Sequence, residues 1–264
     1  MIKLIASDLD GTLLTPERTL PEGIFGAIEK LYEKGVLFAP ASGRQLPNLE
    51  VLFAPVLDKI AIIAENGGLV KFGGKIIYVN PTDGADVMRA LEVIRRADGL
   101  FPLLSCAECS YYEDGDEEFI ARVHGSYSST RKVDDLDEIA RTECVLKISV
   151  WDKKPPCAVH GGPLLAPRLK GLRTIISGND WLDVSTPEAD KGKALAALMS
   201  AAGVTADECE AYGDHMNDVE MLAVCGHPFV TENAFEGIKA IVKNRIPSNA
   251  EHGVLQRIKF LLGE

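Results

Sequence analysis

The sequence predicts an α/β protein in which a Rossmann-like parallel-sheet core is interrupted by an inserted α+β domain. Three short apolar segments, at residues 2–6, 36–39 and 60–64, alternate with stretches of helical periodicity. Apart from Lys3, these segments are apolar without alternation, which is typical of parallel strands covered by helices on both faces. Between residues 80 and 185 this pattern is replaced by hairpins and short helices, and it returns afterwards.

The first part of the core contains two predicted helices and a hairpin. Apolar side chains in residues 21–34 share one helical face, Pro21 suits the first turn, and Gly35 suits the C-terminal end. A second helix follows at residues 46–53. A hairpin is predicted at residues 69–78, because two glycines separate its apolar halves.

The insertion mixes both kinds of element. In chain order we predict a helix at 84–97, two short strands within 101–113, short helices within 114–143, a strand at 145–150 and a hairpin at 174–184. Residues 155–170 fit no single pattern. We therefore expect a core domain of residues 1–79 and 186–264, and an inserted domain of residues 80–185.

The parallel pattern resumes after the insertion. The elements predicted there are a helix at 194–199, a strand at 210–212, a short helix at 219–222, a strand at 227–230 and a helix at 254–262. Ser248 or Asn249 is the expected cap of the last helix.

The composition excludes several classes of protein. Apolar residues make up 46% and charged residues 25% of the chain, as in ordinary globular proteins. The formal net charge is −11, and no basic run offers the face that nucleic-acid-binding domains carry. No apolar stretch approaches the roughly 20 residues that cross a bilayer, and the N-terminus does not resemble a signal peptide. We expect a cytoplasmic protein that binds neither nucleic acid nor membrane.

Six cysteines are scattered along the chain, and we expect reduced, mostly buried thiols. Cys106 and Cys109 form a C-x-x-C pair, which can bind metal or act in redox chemistry. A zinc site needs a second pair of ligands, and no other Cys/His pair has suitable spacing. Whether this pair has a function stays open.

Two aspartates follow the first predicted strand directly, in the segment Asp8-Leu9-Asp10-Gly11-Thr12. Ligands of open parallel sheets bind at the carboxyl ends of strands. There, one carboxylate can act as a nucleophile and the other can transfer a proton. Gly11 lets the chain turn, so that backbone N–H groups can face an anion. The alternative is that both aspartates only shape a loop or cap a turn.

Three later segments fall at the same predicted edge. Ser42 and Gly43 follow the second strand and can bind phosphate oxygens, although such a loop is often only structural. Lys191 begins the helix after the insertion, where it can neutralise phosphate or simply be a surface lysine. Asp214 and Asp218 follow the strand at 210–212, where their carboxylates suit Mg²⁺ or cap the next helix.

The motif order D-L-D-G-T-L-L, A-S-G-R, a lysine and then G-D-x-x-N-D resembles that of the haloacid dehalogenase superfamily of phosphohydrolases, along essentially the whole chain. The segments at residues 65–68 and 248–254 look like its Cof-type branch, whose large α/β cap lies between the second and third motifs. The resemblance implies Mg²⁺-dependent hydrolysis of a small phosphorylated metabolite through an aspartyl phosphate. A sugar phosphate is the first expectation for the substrate, and the cap is expected to close over the site.

The resemblance also implies a role for each motif residue. Asp8 is similar to the phosphorylated nucleophile, and Asp10 to the acid/base whose backbone carbonyl binds Mg²⁺. The residues that match contacts to phosphate or substrate are Leu9, Ser42, Gly43, Lys191 and Asn217. The residues that match the metal site are Asp8, Asp10, Asp214 and, as a supporting group, Asp218.

Two positions depart from the branch pattern. Ser42 stands where Thr is common, and it keeps the hydroxyl. Residues 231–234 read T-E-N-A where M-G-N-A is usual, which leaves the role of Asn233 open.

Two other functions are compatible with the motifs. A phosphotransferase or mutase would use the same aspartyl phosphate, and a signalling module would use phosphorylated Asp8 as a switch. Retention of Asp10 argues against the switch, because a slow switch gains nothing from an efficient acid/base. The substrate, the cap residues that select it and the oligomeric state do not follow from the sequence.

Overall fold

The chain, which the computed structural model describes over residues 1–264, divides into two units. The core unit comprises Met1–Ser42, Phe53–Tyr78 and Asp190–Glu264, and the insertion unit comprises Gly43–Leu52 and Val79–Ala189.

Residues 43–52 depart from the sequence-based division, which assigned them to the core. The structure groups them with the insertion unit, and their polar side chains bond to that unit. Gln45 Nε2 donates to Ser110 Oγ at 2.9 Å, and Asn48 Nδ2 donates to the Ser126 carbonyl oxygen at 2.6 Å.

The chain forms fourteen strands and ten helices. The strands are β1 (Leu4–Ser7), β2 (Leu37–Pro40), β3 (Ile62–Ala64), β4 (Leu69–Phe72), β5 (Lys75–Val79), β6 (Leu100–Ser105), β7 (Ser110–Tyr112), β8 (Thr130–Lys132), β9 (Lys147–Asp152), β10 (Arg173–Ile176), β11 (Trp181–Ser185), β12 (Cys209–Gly213), β13 (His227–Thr231) and β14 (Arg245–Ile246). The helices are α1 (Ile24–Glu33), α2 (Leu46–Leu52), α3 (Gly84–Arg95), α4 (Glu117–Ser126), α5 (Leu136–Thr142), α6 (Gly161–Leu165), α7 (Lys191–Ala202), α8 (Val219–Val224), α9 (Glu236–Ile241) and α10 (Gly253–Leu262).

A parallel five-stranded sheet lies at the centre of the core unit, in the order β14-β13-β12-β1-β2. The chain runs from β1 outward to β2 on one side and later returns to β12 on the other, so the strand order reverses between β1 and β12. Ligands of open parallel sheets bind at such a reversal. The predicted parallel sheet is confirmed, and its reversal lies between the strands that precede Asp8 and Asp214.

Helices cover this sheet. Leu195 and Leu198 of α7 and Met221 of α8 pack in one apolar cluster with Leu4 and Ala39 of the sheet. Helix α1 packs against α10 and β2. The strands are therefore buried, which explains why they are apolar without alternation.

The third predicted strand behaves differently from the first two. No ladder joins β3 to β2; two isolated parallel bridges connect their segments, Phe38 to Ile60 and Ala41 to Ile63. Its ladder is antiparallel with β4, in a small sheet of β3, β4 and β5. The hairpin between β4 and β5 turns at Gly73 and Gly74, as predicted, and both glycines have positive φ.

The insertion unit contains a six-stranded sheet in the order β10-β11-β9-β6-β7-β8. All its pairings are antiparallel except that of β7 with β8. One face, which includes Leu104, Ile148 and Val184, packs with apolar side chains of α3 and α5. The stretch 114–143 contains the helices α4 and α5, as predicted. It also contains strand β8, which was not predicted because its residues Thr, Arg and Lys carry no apolar signal.

Two further regions refine the predictions. Residues 155–170, which fit no pattern, contain the short helix α6. Ser248 caps the 3₁₀ turn Asn249–Glu251, and α10 begins after it at Gly253. Helix α9 and strand β14 were not predicted.

All six cysteines are free thiols, and four of them are buried, as expected. Cys106 and Cys109 lie between β6 and β7, where the Cys106 N–H donates to the Cys109 carbonyl oxygen at 3.0 Å. They belong to no cluster of three metal-ligating side chains. The pair is part of a hairpin connection. No helix of the chain has the length and apolarity that crossing a membrane requires.

Candidate functional site

Three carboxylates converge beside the strand reversal. Asp8, Asp214 and Asp218 each bring one oxygen within 4.8 Å of the other two. Asp8 follows β1, and Asp214 follows β12, its parallel neighbour. The carboxyl ends of adjacent parallel strands meet at one edge, so two segments far apart in sequence supply one cluster.

A buried lysine joins two of these carboxylates. Lys191 Nζ donates to Asp8 Oδ1 at 2.5 Å and to Asp218 Oδ1 at 2.7 Å. The lysine side chain is only 1% exposed. A surface lysine would be solvated, so that alternative does not describe Lys191. The residue begins α7, and the side chain of Asp190 caps the same helix by accepting from Lys193 N.

Burial dominates the electrostatics of the cluster. It raises the pKa of Asp8 well above its usual value; Lys191 opposes this change, while Asp218 and Asp214 add to it. The pKa of Asp214 is also raised, first by burial and then by the charge of Asp218. Burial alone would lower the pKa of Lys191, but Asp218 and Asp8 outweigh it and raise that pKa. One ammonium therefore shares the site with three carboxylates, an excess of negative charge that a cation would relieve.

Asp218 has both oxygens occupied by hydrogen bonds. Oδ1 accepts from Lys191, and Oδ2 accepts from the backbone N–H groups of Asp214 and His215 at 3.0 and 3.1 Å. Asp218 therefore helps to hold both the Lys191 ammonium and the backbone at Asp214 in place. Gly213 makes room for it, since a Cβ at that position would lie 2.6 Å from the Asp218 Cβ.

Thr12 is a site residue to which the sequence analysis gave no role. Its Oγ1 donates to Asp214 Oδ1 at 2.8 Å. Thr12 belongs to the first motif and Asp214 to the fourth, so only the fold brings the two residues together. The preceding Gly11 has φ +89°, and a Cβ there would lie 2.4 Å from Asp214 Oδ2. The motif therefore needs glycine at this position for both its backbone conformation and its close approach to Asp214.

Asp10 and Leu9 lie in the turn that follows the first strand, Leu9–Leu13. The Leu9 side chain is buried, and its carbonyl oxygen accepts from Leu14 N at 2.8 Å. Asp10 is exposed. The Leu9 side chain is thus enclosed by the protein, whereas the Asp10 side chain is open to solvent.

Two asparagines from the C-terminal part of the chain hold this turn. Asn233 Nδ2 donates to the Gly11 carbonyl oxygen at 2.8 Å, and Asn233 Oδ1 accepts from Asn249 N at 2.9 Å. Asn249 Nδ2 in turn donates to the Leu14 carbonyl oxygen at 2.8 Å. The role of Asn233, left open by the sequence, is to tie the turn to the segment at Asn249.

Ser42 follows β2 and is buried. Its N–H donates to the Ile63 carbonyl oxygen, and its own carbonyl oxygen accepts from Asn66 N at 3.0 Å. Asn217 Nδ2 lies 3.5 Å from Asn66 Oδ1, at the limit of a hydrogen bond. Ser42, Asn66 and Asn217 thus form a connected row in the core unit, whereas Gly43 is the first residue of the insertion unit.

The turn at Glu65, Asn66 and Gly67 is tightly constrained. Glu65 and Asn66 both have φ of +54°, which is uncommon for residues other than glycine. Gly67 has φ +91°, and a Cβ there would lie 2.2 Å from the Asp190 carbonyl oxygen. The turn therefore packs directly on the residue before Lys191, and its geometry helps to set where that lysine begins its helix.

The donor set fits a hard divalent cation. Mg²⁺ prefers one or two carboxylates together with waters and phosphate oxygens. Asp8 and Asp214 provide such carboxylates, and Asp218 supports them through the hydrogen bonds described above. No thiol or imidazole belongs to the cluster, so its chemistry does not favour a softer metal.

Comparison with known proteins agrees with the motifs. The sequence model of the haloacid dehalogenase-like hydrolases matches residues 5–258. The chain is 29% identical to the 5-amino-6-(5-phospho-D-ribitylamino)uracil phosphatase YbjI of Escherichia coli (strain K12), over 99% of this chain and 96% of that protein. It is 27% identical to the pyridoxal phosphate phosphatase YbhA of the same strain, over 97% of each. A crystal structure from Eubacterium rectale superposes with a TM-score of 0.85 at 28% identity, over 98% of this chain and 99% of that one. These similarities extend over both units.

Proposed function

The chain belongs to the haloacid dehalogenase-like hydrolase family, as its motifs predicted, and we propose that it is a Mg²⁺-dependent phosphatase of small metabolites that forms an aspartyl phosphate on Asp8. One observation carries the proposal. Buried Lys191 bonds to Asp8 and Asp218, in a cluster with Asp214 that has more negative charge than the lysine offsets. Such a cluster suits a site for a divalent cation and a phosphoryl group.

Asp8 is the proposed nucleophile. A carboxylate oxygen of Asp8 attacks phosphorus, the bond from phosphorus to the leaving oxygen breaks, and an aspartyl phosphate results. Lys191 holds Asp8 Oδ1 and so fixes the direction of the carboxylate. When bound, Mg²⁺ supplies positive charge that keeps Asp8 ionised and offsets charge on the phosphoryl oxygens. Asp8, the backbone carbonyl of Asp10 and Asp214 would hold it, with Asp218 in support.

Asp10 is the proposed acid/base. It donates its proton to the leaving oxygen in the first transfer. In the second it takes a proton from the water that attacks phosphorus, while the bond from phosphorus to the Asp8 oxygen breaks and inorganic phosphate leaves. Its exposure supports this role, because the group that loses one proton and regains one in each cycle must be reached by the leaving group and by water. Asn233 bonds to the Gly11 carbonyl oxygen, next to Asp10, and so restrains the turn that carries the acid/base.

The phosphoryl oxygens are assigned to four groups. Lys191 offsets their charge, and Ser42, Gly43 and Asn217 provide hydrogen-bond donors. The backbone at Leu9 is expected to add an N–H. The row formed by Ser42, Asn66 and Asn217 supports these assignments, since it connects two of the motifs on the core unit.

The substrate is proposed to be a small phosphorylated metabolite. The names of the two E. coli relatives give a phosphorylated uracil derivative and pyridoxal phosphate, both of which carry a heterocyclic ring. Phosphorylated cofactors and their precursors therefore join sugar phosphates as leading candidates. Asp8, Asp10, Lys191, Asp214 and Asp218 all belong to the core unit. We therefore assign selection of the leaving group to the insertion unit, as a lid would select it.

Phosphate release tests the proposal. The protein is incubated with a panel of sugar phosphates, phosphorylated cofactors and p-nitrophenyl phosphate, with Mg²⁺ or with EDTA. We expect Mg²⁺-dependent release of inorganic phosphate without any added acceptor. Transfer only to a second sugar would favour the phosphotransferase. A long-lived phosphoprotein without turnover, after incubation with a small phosphodonor, would favour the switch.

A further inference from the structure

A buried ion pair lies inside the sheet of the insertion unit. Lys147 Nζ of β9 is 3.0 Å from Asp183 Oδ2 of β11, and the two side chains are only 5% and 4% exposed. Burying two charges costs solvation energy that the pair rarely recovers in full, and apolar residues of similar volume are often as stable. This pair therefore calls for a reason beyond stability.

The pair lies on the face of the sheet that packs against α4, and this face has an apolar half and a polar half. On that face, Leu103, Tyr112 and Trp151 form an apolar half that packs against Phe119 and Val123 of α4. The strand registers put a second set of side chains on the same face, toward the other end of the strands. That set is polar and buried: Ser105, Ser110, Lys147, Ser149 and Asp183.

Residues 43–52 cover the polar half. Lys147 Nζ donates to the Gly43 carbonyl oxygen at 2.6 Å, a shorter contact than the one it makes with Asp183. Gln45 Nε2 donates to Ser110 Oγ and to the Ser129 carbonyl oxygen. The segment that begins at the second motif is thus bonded to the sheet by its backbone as well as its side chains.

The carboxylate of Asp183 is itself fixed. Its Oδ1 accepts from Ser149 Oγ at 2.8 Å, while Oδ2 faces Lys147. The lysine is thereby held at one place on the sheet, with its ammonium between Asp183 and Gly43. The arrangement is a chain of contacts that runs from Ser149 to the backbone of the second motif.

Gly43 is the residue that needs such an anchor. Glycine has the least restricted backbone of any residue, so its flanking peptide groups reorient easily. The peptide group that contains the Gly43 carbonyl also contains the Arg44 N–H, which points the opposite way because the group is planar. A bond to the carbonyl oxygen therefore fixes one N–H directly and limits the rotation of the Gly43 N–H beside it.

We infer that Lys147 is a positioning residue for the phosphate-binding loop, because it fixes the Gly43 peptide group whose neighbouring N–H groups donate to the phosphoryl oxygens. The inference rests on the proposed function, which assigns Ser42 and Gly43 to phosphate. In this arrangement Asp183 keeps Lys147 in place, and Lys147 acts on phosphate only through the backbone.

The test compares Lys147→Met with Asp183→Asn. The first variant removes the donor to Gly43, whereas the second keeps Lys147 and leaves Ser149 an acceptor. With p-nitrophenyl phosphate as substrate and Mg²⁺ present, we measure kcat, KM, the inhibition constant of inorganic phosphate and the melting temperature. Lys147→Met should raise the phosphate inhibition constant about 10-fold or more, the effect of losing a hydrogen bond from a charged donor. Asp183→Asn should lower the melting temperature but change phosphate inhibition far less.

A double variant separates positioning from stability. Lys147→Met removes the ammonium that offsets the buried charge of Asp183, so this variant alone is expected to be unstable. Lys147→Met with Asp183→Leu removes both charges, and it should recover the melting temperature but not the affinity for phosphate. It carries the test if Lys147→Met does not fold. Lys153→Met, at an exposed lysine of the same unit, is the matched control and should leave kcat, KM and phosphate inhibition unchanged.

The outcomes are distinguishable. The positioning role of Lys147 would be overturned if the phosphate inhibition constant changed in parallel with the melting temperature across all variants. It would also be overturned if that constant were normal in the double variant. Neither result would affect the proposed function. A wild-type protein that neither releases phosphate from any ester nor responds to inorganic phosphate would overturn the proposed function, and the loop assignment with it.

Discussion

Lys191 Nζ lies 2.5 Å from Asp8 Oδ1, although 183 positions separate the two residues in the sequence. The contact forms because the chain enters the insertion unit at the end of β5 and re-enters the core unit just before α7. Lys191 therefore lies beside the end of β1, where Asp8 follows the strand. The same ammonium reaches Asp218, so one side chain links the first, third and fourth motifs.

Replacement of Asp8 by Asn should abolish turnover and leave the protein folded. The amide keeps the size of the side chain and can still accept from Lys191, but it lacks the nucleophilic charge. Phosphate release and the melting temperature are measured together. Asp58→Asn, at an exposed aspartate of the core unit, is the control and should retain wild-type activity. Substantial turnover by Asp8→Asn would exclude covalent catalysis at this residue.

Lys191→Met should lower kcat about 10²–10³-fold, as the loss of one preorganised stabilising donor does. It should also destabilise the fold, because Asp8 and Asp218 would remain buried without their cation. Steady-state kinetics and thermal unfolding check the two effects. The matched control is Lys193→Met, two residues along the same helix and 46% exposed. Unchanged rates in Lys191→Met would leave the lysine a structural role only.

Asp214→Ala should raise the Mg²⁺ concentration needed for half-maximal activity. In the wild type, Mg²⁺ should also stabilise the fold, since it offsets the repulsion within the carboxylate cluster. At 100 times its dissociation constant, the ion should raise the melting temperature by about 5–10 °C. The rise should be lost in Asp214→Ala and kept in Asp58→Ala. An equal rise in both variants would remove Asp214 from the metal site.

Thr12→Val should weaken Mg²⁺ binding about 10-fold, the lower end of the effect of losing a partner of a metal ligand. Valine has the shape of threonine but cannot donate to Asp214 Oδ1. Titration of activity with Mg²⁺ measures the change, and Thr12→Ser is the matched variant because it keeps the hydroxyl. If Thr12→Val keeps the wild-type affinity for Mg²⁺ while Thr12→Ser loses affinity, the methyl group and not the hydrogen bond is responsible.

The difference between predicted and observed elements has a physical pattern. Strands buried on both faces, such as β1 and β12, were predicted because burial demands continuous apolar residues. Strand β8 and strand β14 are short and carry polar residues, so they have no period to detect. Pairing with a neighbouring strand makes them strands, and that pairing is a property of the fold.

The grouping of residues 43–52 shows the same limit. Their apolar positions predicted the helix α2 correctly, but nothing in them indicates which unit they join. The partners of Gly43 and Gln45 are Lys147 and Ser110, which lie more than 60 residues away. The sequence does not show whether a lysine is buried or exposed, so only the structure revealed that Lys147 is buried and bonded to Gly43.

The sequence by itself determined the parallel-sheet core, the presence of an insertion, the family, and the motif residues Asp8, Asp10, Ser42, Lys191 and Asp214. Local patterns suffice for these, because periodicity reflects burial and catalytic motifs occupy short segments at strand ends. The tertiary structure alone decided that Lys191 bridges Asp8 and Asp218, that Thr12 bonds to Asp214, and that Lys147 bonds to Gly43. Each of these contacts joins distant segments, and their distances depend on how strands and helices pack.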